Sequence, residues 1–371
     1  MTLLLFASIL TVVALLWLQV DDDQGICTAD MLWVEKEPKA FPVVNCHWHL
    51  GENEADYDTA VEVMDATGVA VSIDLSGGTG DKLQRKLSWA KKHEGRFLVF
   101  CGFPFEEEDR DDPDIGRKLA DSLDESISMG AAGCGEMGFS VIHGYHEWAD
   151  RRLDPFWEKA IELKAPLNFH SAQPSRYWRN ESPWNRIESG TVRGIRPKCQ
   201  HAMLRDRDAV LERYPELIFI AAHSSYAADQ VPYLIYLMET FPNFIVDINA
   251  SLEEWGKRPQ EFYDFCVDYQ DRIVYGTDWG VHQKARTVAG GSHEKLIEDW
   301  KAFAMAHYLF LGTGQRMIPC PFNGNQGRYL TSRVNGFPRY SHDGVDLPNE
   351  VLEKIYYRLS LIHISEPTRP Y

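Results

Sequence analysis

Residues 43–50 read Val43-Val44-Asn45-Cys46-His47-Trp48-His49-Leu50, an apolar, β-prone run ending in two histidines one residue apart. In a strand, side chains two apart share a face. His47 and His49 therefore project together, while Cys46 and Trp48 turn the other way, toward covering helices. Two adjacent imidazoles can share one divalent cation at Zn–N distances of about 2.0–2.1 Å. They can equally be ordinary hydrogen-bonded strand histidines, and the pair alone does not decide between the two.

From that strand onward, short β-prone runs alternate with longer helical patterns. Strands are expected at 43–50, 69–76, 96–105, 130–139, 165–172, 217–225, 244–251 and 272–280. The helical patterns fall at 55–66, 81–93, 116–128, 154–163, 205–214, 229–241, 258–269 and 293–308. Near-continuously apolar strands joined by helices mark a parallel sheet buried on both faces. Eight such units in succession favour an α/β fold of the (β/α)8 TIM barrel type over an open doubly wound sheet. The expected domain is one barrel within residues 30–358, with a long loop after the fifth strand and a C-terminal extension.

Composition agrees with a large core: 371 residues, 44% hydrophobic and 25% charged. The net charge of −17 argues against nucleic acid as a partner, since such binders concentrate Lys and Arg. A small-molecule substrate is expected instead, and a homo-oligomer is compatible with these residues. The seven cysteines are odd in number and lack a Cys-x-x-Cys spacing; Cys46, Cys101 and Cys134 sit in apolar runs and read as buried free thiols.

Both ends stand apart from the barrel pattern. Residues 1–20 form an uncharged apolar run, followed by Asp21-Asp22-Asp23, with Cys27-Thr28-Ala29 as a small-x-small cleavage site. Residues 1–29 thus read as a signal peptide or an N-terminal membrane anchor, with export or anchoring if genuine and a cytoplasmic location otherwise. The absent basic region and the marginal length count against a span. At the other end, LSLIHISEPTRP (359–370) resembles the translation of a transposase adapter used in sequencing libraries, so 359–371, including His363, is set aside as an artefact.

Three later strand ends bear on His47 and His49. His170 closes Asn168-Phe169-His170, His223 closes Ala221-Ala222-His223, and Asp278 lies in Tyr275-Gly276-Thr277-Asp278-Trp279. Each stands at the C-terminal end of a strand, where a barrel keeps its active site. Singly, each reads as plainly as a cap or a core hydrogen-bonder. Four histidines and an aspartate on one rim are harder to dismiss.

This ordered set resembles the amidohydrolase superfamily, and within it the amidohydrolase-2 branch that includes aminocarboxymuconate semialdehyde decarboxylase-like enzymes. The likeness runs from about Val43 to Arg358 and takes in the Arg205 to His223 segment, Tyr275-Gly276-Thr277-Asp278, and the terminal Leu347-Pro348-Asn349-Glu350-Val351-Leu352 with Ile355-Tyr356-Tyr357. The resemblance implies one divalent metal on His47, His49, His170 and Asp278, with His223 and Asp278 as catalytic residues. Zinc is the expected ion and manganese the fallback, because three nitrogens and an oxygen discriminate weakly. Such a metal lowers the pKa of bound water toward ~7. Asp278 can then accept a proton, and His223 can polarise a carbonyl or orient the nucleophile.

The activity so implied is hydrolysis of a C–N or C–O bond (amide, lactone or ester) in a small carboxylated molecule. A non-oxidative decarboxylase of the same branch is the alternative. A barrel that holds metal without turnover and a TatD-type nuclease stand behind it; the acidic composition argues against the nuclease.

On the fourth strand the pattern departs. Several relatives place a carboxylated lysine or bridging glutamate there for a second metal, whereas this chain has Gly133-Cys134-Gly135-Glu136-Met137-Gly138. Glu136 is similar to the glutamate of TatD-type deoxyribonucleases, as a second-metal or accessory ligand; an ordinary hydrogen-bonded Glu is the other reading. The same residues match G-x-G-x-x-G, but no helix pattern opens at the third glycine. Ser76-Gly77-Gly78-Thr79-Gly80 reads as a strand-to-helix turn. His143 and His146 read as loop residues. In the loop after the fifth strand, Arg176 and Arg179, interleaved with Trp178, could clamp a substrate carboxylate bidentately or simply cover the barrel mouth. Trp279 is expected to shape the pocket wall.

Overall fold

The computed structural model describes residues 41–105, 111–138, 147–172, 200–281, 291–319, 333–334, 337–338 and 341–358. The expectations for residues 1–29, His143, His146, Arg176, Trp178, Arg179 and the tail from 359 lie outside the described residues.

Eight strand–helix units follow one another. They are β1 (Val43–Leu50) with α1 (Glu54–Thr67), β2 (Val69–Asp74) with α2 (Gly80–Lys91), β3 (Phe97–Val99) with α3 (Ile115–Met129), and β4 (Cys134–Gly138) with α4 (Asp154–Leu163). Then come β5 (Leu167–His170) with α5 (Gln200–Arg213), β6 (Phe219–Ala221) with α6 (Val231–Thr240), β7 (Phe244–Asp247) with α7 (Pro259–Asp268), and β8 (Ile273–Val274) with α8 (His293–Gly312). A short β9 (Trp279–Val281) continues from β8 and pairs with β1, Trp48 opposite Trp279.

All pairings between these strands are parallel. They form two arcs, β3-β2-β1-β9 and β4-β5-β6-β7-β8. Backbone hydrogen bonds stitch the arcs together. At one seam Ala132 N donates to Val99 O (2.8 Å), and Cys101 N donates to Gly133 O (2.9 Å); at the other, Cys46 N donates to Tyr275 O (2.9 Å). The result is a (β/α)8 TIM barrel, as the alternation predicts.

Local chemistry sets the first helix. Asn53 and Asp56 form a capping box at its start, and Gly68, at φ 75°, closes it with its N–H on Met64 O. Tyr57, Ala60, Val63 and Met64 supply the buried stripe that faces the sheet. Among the described residues no helix is long and apolar enough to cross a membrane.

Two differences from the sequence reading concern β1 and the strand ends. Trp48 packs outward against Trp300 of α8, ring centroids 5.2 Å apart, as expected. Cys46 does not: it joins Ile73, Leu75, Phe100, Ile220, Ile245 and Val274 inside the barrel. The pairing register of β1 shifts between Asn45 and Trp48, and the strict in–out alternation breaks with it. Several strands are also shorter than their apolar runs. Residues 222–226 leave the sheet as a tight turn, and β8 stops four residues before Asp278.

A buried ion pair ties the first units together. Lys86 Nζ of α2, 1% exposed, meets Asp74 Oδ2 at 3.0 Å and Leu50 O at 2.9 Å. Tyr57 Oη donates to the same carboxylate oxygen at 2.7 Å, and the amides of Leu50 and Ser76 donate to the other at 3.1 and 2.9 Å. The carboxylate is thus saturated.

Candidate metal centre

The C-terminal ends of the strands converge on a cluster of imidazoles and carboxylates. His47 is fully buried, with Nδ1 2.8 Å from Asp247 Oδ2. A carboxylate only accepts, so Nδ1 carries the proton and Nε2 presents its lone pair. That Nε2 has no hydrogen-bond partner among the described residues. Asp247 also accepts from the Asn249 amide at 3.0 Å. Gly276 passes so close that a Cβ there would lie 2.7 Å from both Asp247 Oδ1 and His47 Cβ. His49 is anchored through Nδ1, 3.0 Å from Ser76 Oγ.

Both remaining Nε2 atoms face the same two carboxylate oxygens. From His47 Nε2, Glu136 Oε2 lies at 3.6 Å and Asp278 Oδ1 at 3.4 Å. From His49 Nε2 the corresponding distances are 3.5 and 3.3 Å. Donors around a tetrahedral zinc, at bond lengths of about 2.0–2.1 Å, stand about 3.3–3.4 Å apart. Four edges of the observed pocket match that spacing to within a few tenths of an ångström. One donor atom each of His47, Glu136, His223 and Asp278 also lies within 4.8 Å of the others. A buried imidazole nitrogen with no partner, facing such a pocket, suits a divalent metal.

The second oxygen of Glu136 is engaged elsewhere. Oε1 receives His170 Nδ1 at 2.6 Å and His223 Nε2 at 3.0 Å. His170 Nε2 in turn meets Tyr226 Oη at 2.6 Å. His223 Nδ1 lies 3.8 Å from Asp278 Oδ2 and has no hydrogen bond among the described residues.

The electrostatics follow from this packing. Burial by itself would push His47 and His49 down, but the facing carboxylates win. Glu136, with Asp247 and Asp278, holds His47 well above its ordinary value, and Asp278 and Glu136 bring His49 up to about 9. Burial likewise opposes ionisation of Glu136, yet His170 and His47 hold it well below the usual carboxylate range. Asp278 is lowered against its burial by His223, His47 and His49. The facing carboxylates thus favour positive charge between them, the charge a dication would supply.

Of the residues expected from sequence, His47, His49 and Asp278 surround one point together with Glu136. His170 stands one step back, on the far oxygen of Glu136, and His223 bridges Glu136 and Asp278. Trp279 lies at the start of β9 beside β1. Three contributors were not singled out from the sequence: Asp247, Ser76 and Tyr226. For Asp247 a signal existed, because a carboxylate inside the buried run Phe244-Ile245-Val246-Asp247-Ile248 demands a partner. Ser76 and Tyr226 carried none.

A family model described as amidohydrolase matches residues 47–311. No curated protein sequence matches the chain. Among solved structures, an uncharacterized TIM-barrel protein from Bordetella bronchiseptica aligns at a TM-score of 0.50 and 12% identity, covering 89% of this chain and 100% of that one. That likeness speaks to the fold. A manganese-bound 5-carboxyvanillate decarboxylase from Novosphingobium aromaticivorans aligns at 0.46 and 11%, covering 88% and 96%. A zinc-bound amidohydrolase from Burkholderia multivorans aligns at 0.37 and 15%, covering 70% and 91%.

Proposed function

The chain belongs to the amidohydrolase family, and from that premise we propose that it is a metal-dependent hydrolase of an amide, lactone or ester in a small carboxylated molecule. The observation that carries this reading is the pocket whose edges run from 3.3 to 3.6 Å between two imidazole nitrogens and two carboxylate oxygens. One cation, zinc before manganese, would be held by His47, His49, Asp278 and Glu136. In this proposal Glu136 takes the place expected for His170, because both ring nitrogens of His170 already face Glu136 and Tyr226.

A cation held there supplies a Lewis acid that lowers the pKa of water toward ~7 and polarises a carbonyl. The chain's own residues handle the protons. Asp278 turns Oδ1 to the cation pocket and Oδ2 to His223 Nδ1, 3.8 Å away. A proton taken from water at Asp278 can therefore pass to His223 Nδ1 and on to the leaving nitrogen or oxygen. Asp247 keeps the His47 ring in the ligating tautomer throughout.

The test is a panel of lactones, N-acyl compounds and aromatic carboxylic acids, given to the full chain after reconstitution with zinc or manganese. Release of an acid together with an amine or alcohol supports the reading. Carbon dioxide release without hydrolysis replaces it with the decarboxylase alternative, and bound metal without any turnover replaces it with a non-catalytic barrel.

A further inference from the structure

We propose that Ser76 is a positioning residue of the metal centre, and that the buried pair Asp74–Lys86 builds the turn that delivers its hydroxyl to His49. The turn stands on contacts within the chain; its consequence for a cation rests on the proposed function.

β1 runs past the end of β2. In a parallel ladder, every second residue turns its amide and carbonyl to the same neighbour. On the β2 side of β1, Trp48 O still accepts from Leu75 N at 2.8 Å. The next residue facing that side is Leu50, but β2 ends at Asp74 and the chain turns away. Side chains supply the two missing rungs. Asp74 Oδ1 accepts from Leu50 N at 3.1 Å, and Lys86 Nζ donates to Leu50 O at 2.9 Å. Leu50 is therefore satisfied without a strand beside it, and the residues after Asp74 can form a turn.

The same carboxylate shapes that turn. Asp74 Oδ1 also accepts from Ser76 N at 2.9 Å, the contact two residues on by which an aspartate folds the chain back on itself. Lys86 Nζ at 3.0 Å and Tyr57 Oη at 2.7 Å hold Oδ2, so the carboxylate cannot rotate without breaking contacts from α1 and α2. Beyond Ser76, Gly78 O accepts from Gly102 N at 2.8 Å, and a Cβ on Gly77 would overlap Phe100 O. The turn is thus fixed from β1 on one side and from the end of β3 on the other. Ser76 Oγ then stands 3.0 Å from His49 Nδ1. A hydroxyl both donates and accepts, so this contact forms whether or not Nδ1 carries a proton. It leaves His49 Nε2 facing Glu136 Oε2 and Asp278 Oδ1 at 3.5 and 3.3 Å.

His49 needs such support more than His47 does. His47 is fully buried, whereas the His49 side chain is 27% exposed, so packing restrains its ring less. Among the described residues, Ser76 Oγ is its hydrogen-bond partner outside the metal pocket. A buried ion pair is by itself weak evidence for stability, since apolar residues of similar volume often serve as well. The directed contacts of Asp74 and Lys86 to Leu50 and Ser76 are what apolar residues could not provide.

The experiment takes the full chain, with zinc as the probe. By chelator competition, Ser76→Ala should bind zinc about tenfold or more weakly, with an unchanged urea midpoint in the metal-free state. Ser88→Ala, which removes an exposed hydroxyl bonded to Arg85 O, should leave both values as they are. Asp74→Ala combined with Lys86→Met strands no buried charge and should weaken zinc binding in the wild-type background. Added to Ser76→Ala, the same pair should cost less than about twofold more, because losses that act through one hydroxyl are not additive. Zinc bound equally well by wild type and Ser76→Ala overturns the positioning role, and additive losses overturn the route from Asp74 and Lys86 through Ser76. Hydrogen exchange of the metal-free wild type reads the turn itself, with the Leu50 and Ser76 amides expected to be protected. Exchange of both at the rate of an open loop overturns the proposal without any variant having to fold. A wild type that binds no zinc while those amides are protected overturns the proposed function and leaves the turn standing.

Discussion

His47 Nδ1 lies 2.8 Å from Asp247 Oδ2, with both side chains fully buried, and this contact leaves Nε2 as the one nitrogen of His47 that can ligate. Asp247→Ala should therefore weaken zinc binding by about 10–100-fold, with the imidazole still present but free to turn. Chelator competition measures it. Affinity within a factor of two of wild type would show that packing alone sets the ring.

Ligand identity separates by substitution. His47→Ala combined with His49→Ala should leave no stoichiometric zinc after reconstitution, whereas His170→Ala should keep an equivalent, because His170 Nδ1 meets the oxygen of Glu136 that faces away from His47 and His49, and its Nε2 meets Tyr226 Oη. Elemental analysis decides. Loss of the ion in His170→Ala with full retention in Glu136→Gln would restore His170 to the ligand set.

Gly276→Ala places a Cβ 2.7 Å from His47 Cβ and from Asp247 Oδ1. Backbone must shift to accept it, at a cost of about 1–3 kcal/mol. The same shift spoils the His47–Asp247 contact, so lower stability in denaturant titration and weaker metal binding should appear together. Stability loss with normal metal affinity would count against the coupling.

Lys86→Met removes the cation from a pair in which Lys86 is 1% and Asp74 0% exposed. A stranded buried carboxylate costs about 3–5 kcal/mol. Urea unfolding should register the loss. Lys86→Met with Asp74→Asn should recover part of it, since the double variant buries no unpaired charge.

His307 packs inside α8, and burial pushes it down to about 4 despite its Nδ1–H bond to Phe303 O. The sign is that of a depressed base. Above pH 6.5 neither folded nor unfolded chain holds the proton; between 6.5 and 4 only the unfolded chain takes it up, so stability falls as pH falls. The loss is about 2 kcal/mol by pH 5. His342, also pushed down to about 4 by burial and by Lys257, adds in the same direction. Unfolding midpoints at pH 7 and pH 5, in wild type and His307→Leu, test this; an equal drop in both would remove His307 as a cause.

The barrel was legible because its signal is periodic and long: eight apolar strand runs with helical patterns between them survive errors at any one boundary. His47 and His49 could be read as neighbours from their spacing alone, since a strand repeats every two residues. His170, His223 and Asp278 became candidates because parallel strands all deliver their ends to one rim.

What the sequence by itself determined is therefore the architecture and the identity of most groups at the centre. Tertiary structure alone decided which atoms face which. Spacing along a strand carries no information about the oxygen of Glu136 that His170 will reach, because that distance depends on the register of β4 against β5. Nor could it place Tyr226 on His170, since the apolar run 217–225 reads as strand to its end, whereas contacts from Ser251, Trp255 and Arg207 hold residues 223–226 in a left-handed turn. Local propensity is set by neighbours in the chain; the metal pocket is set by neighbours in space.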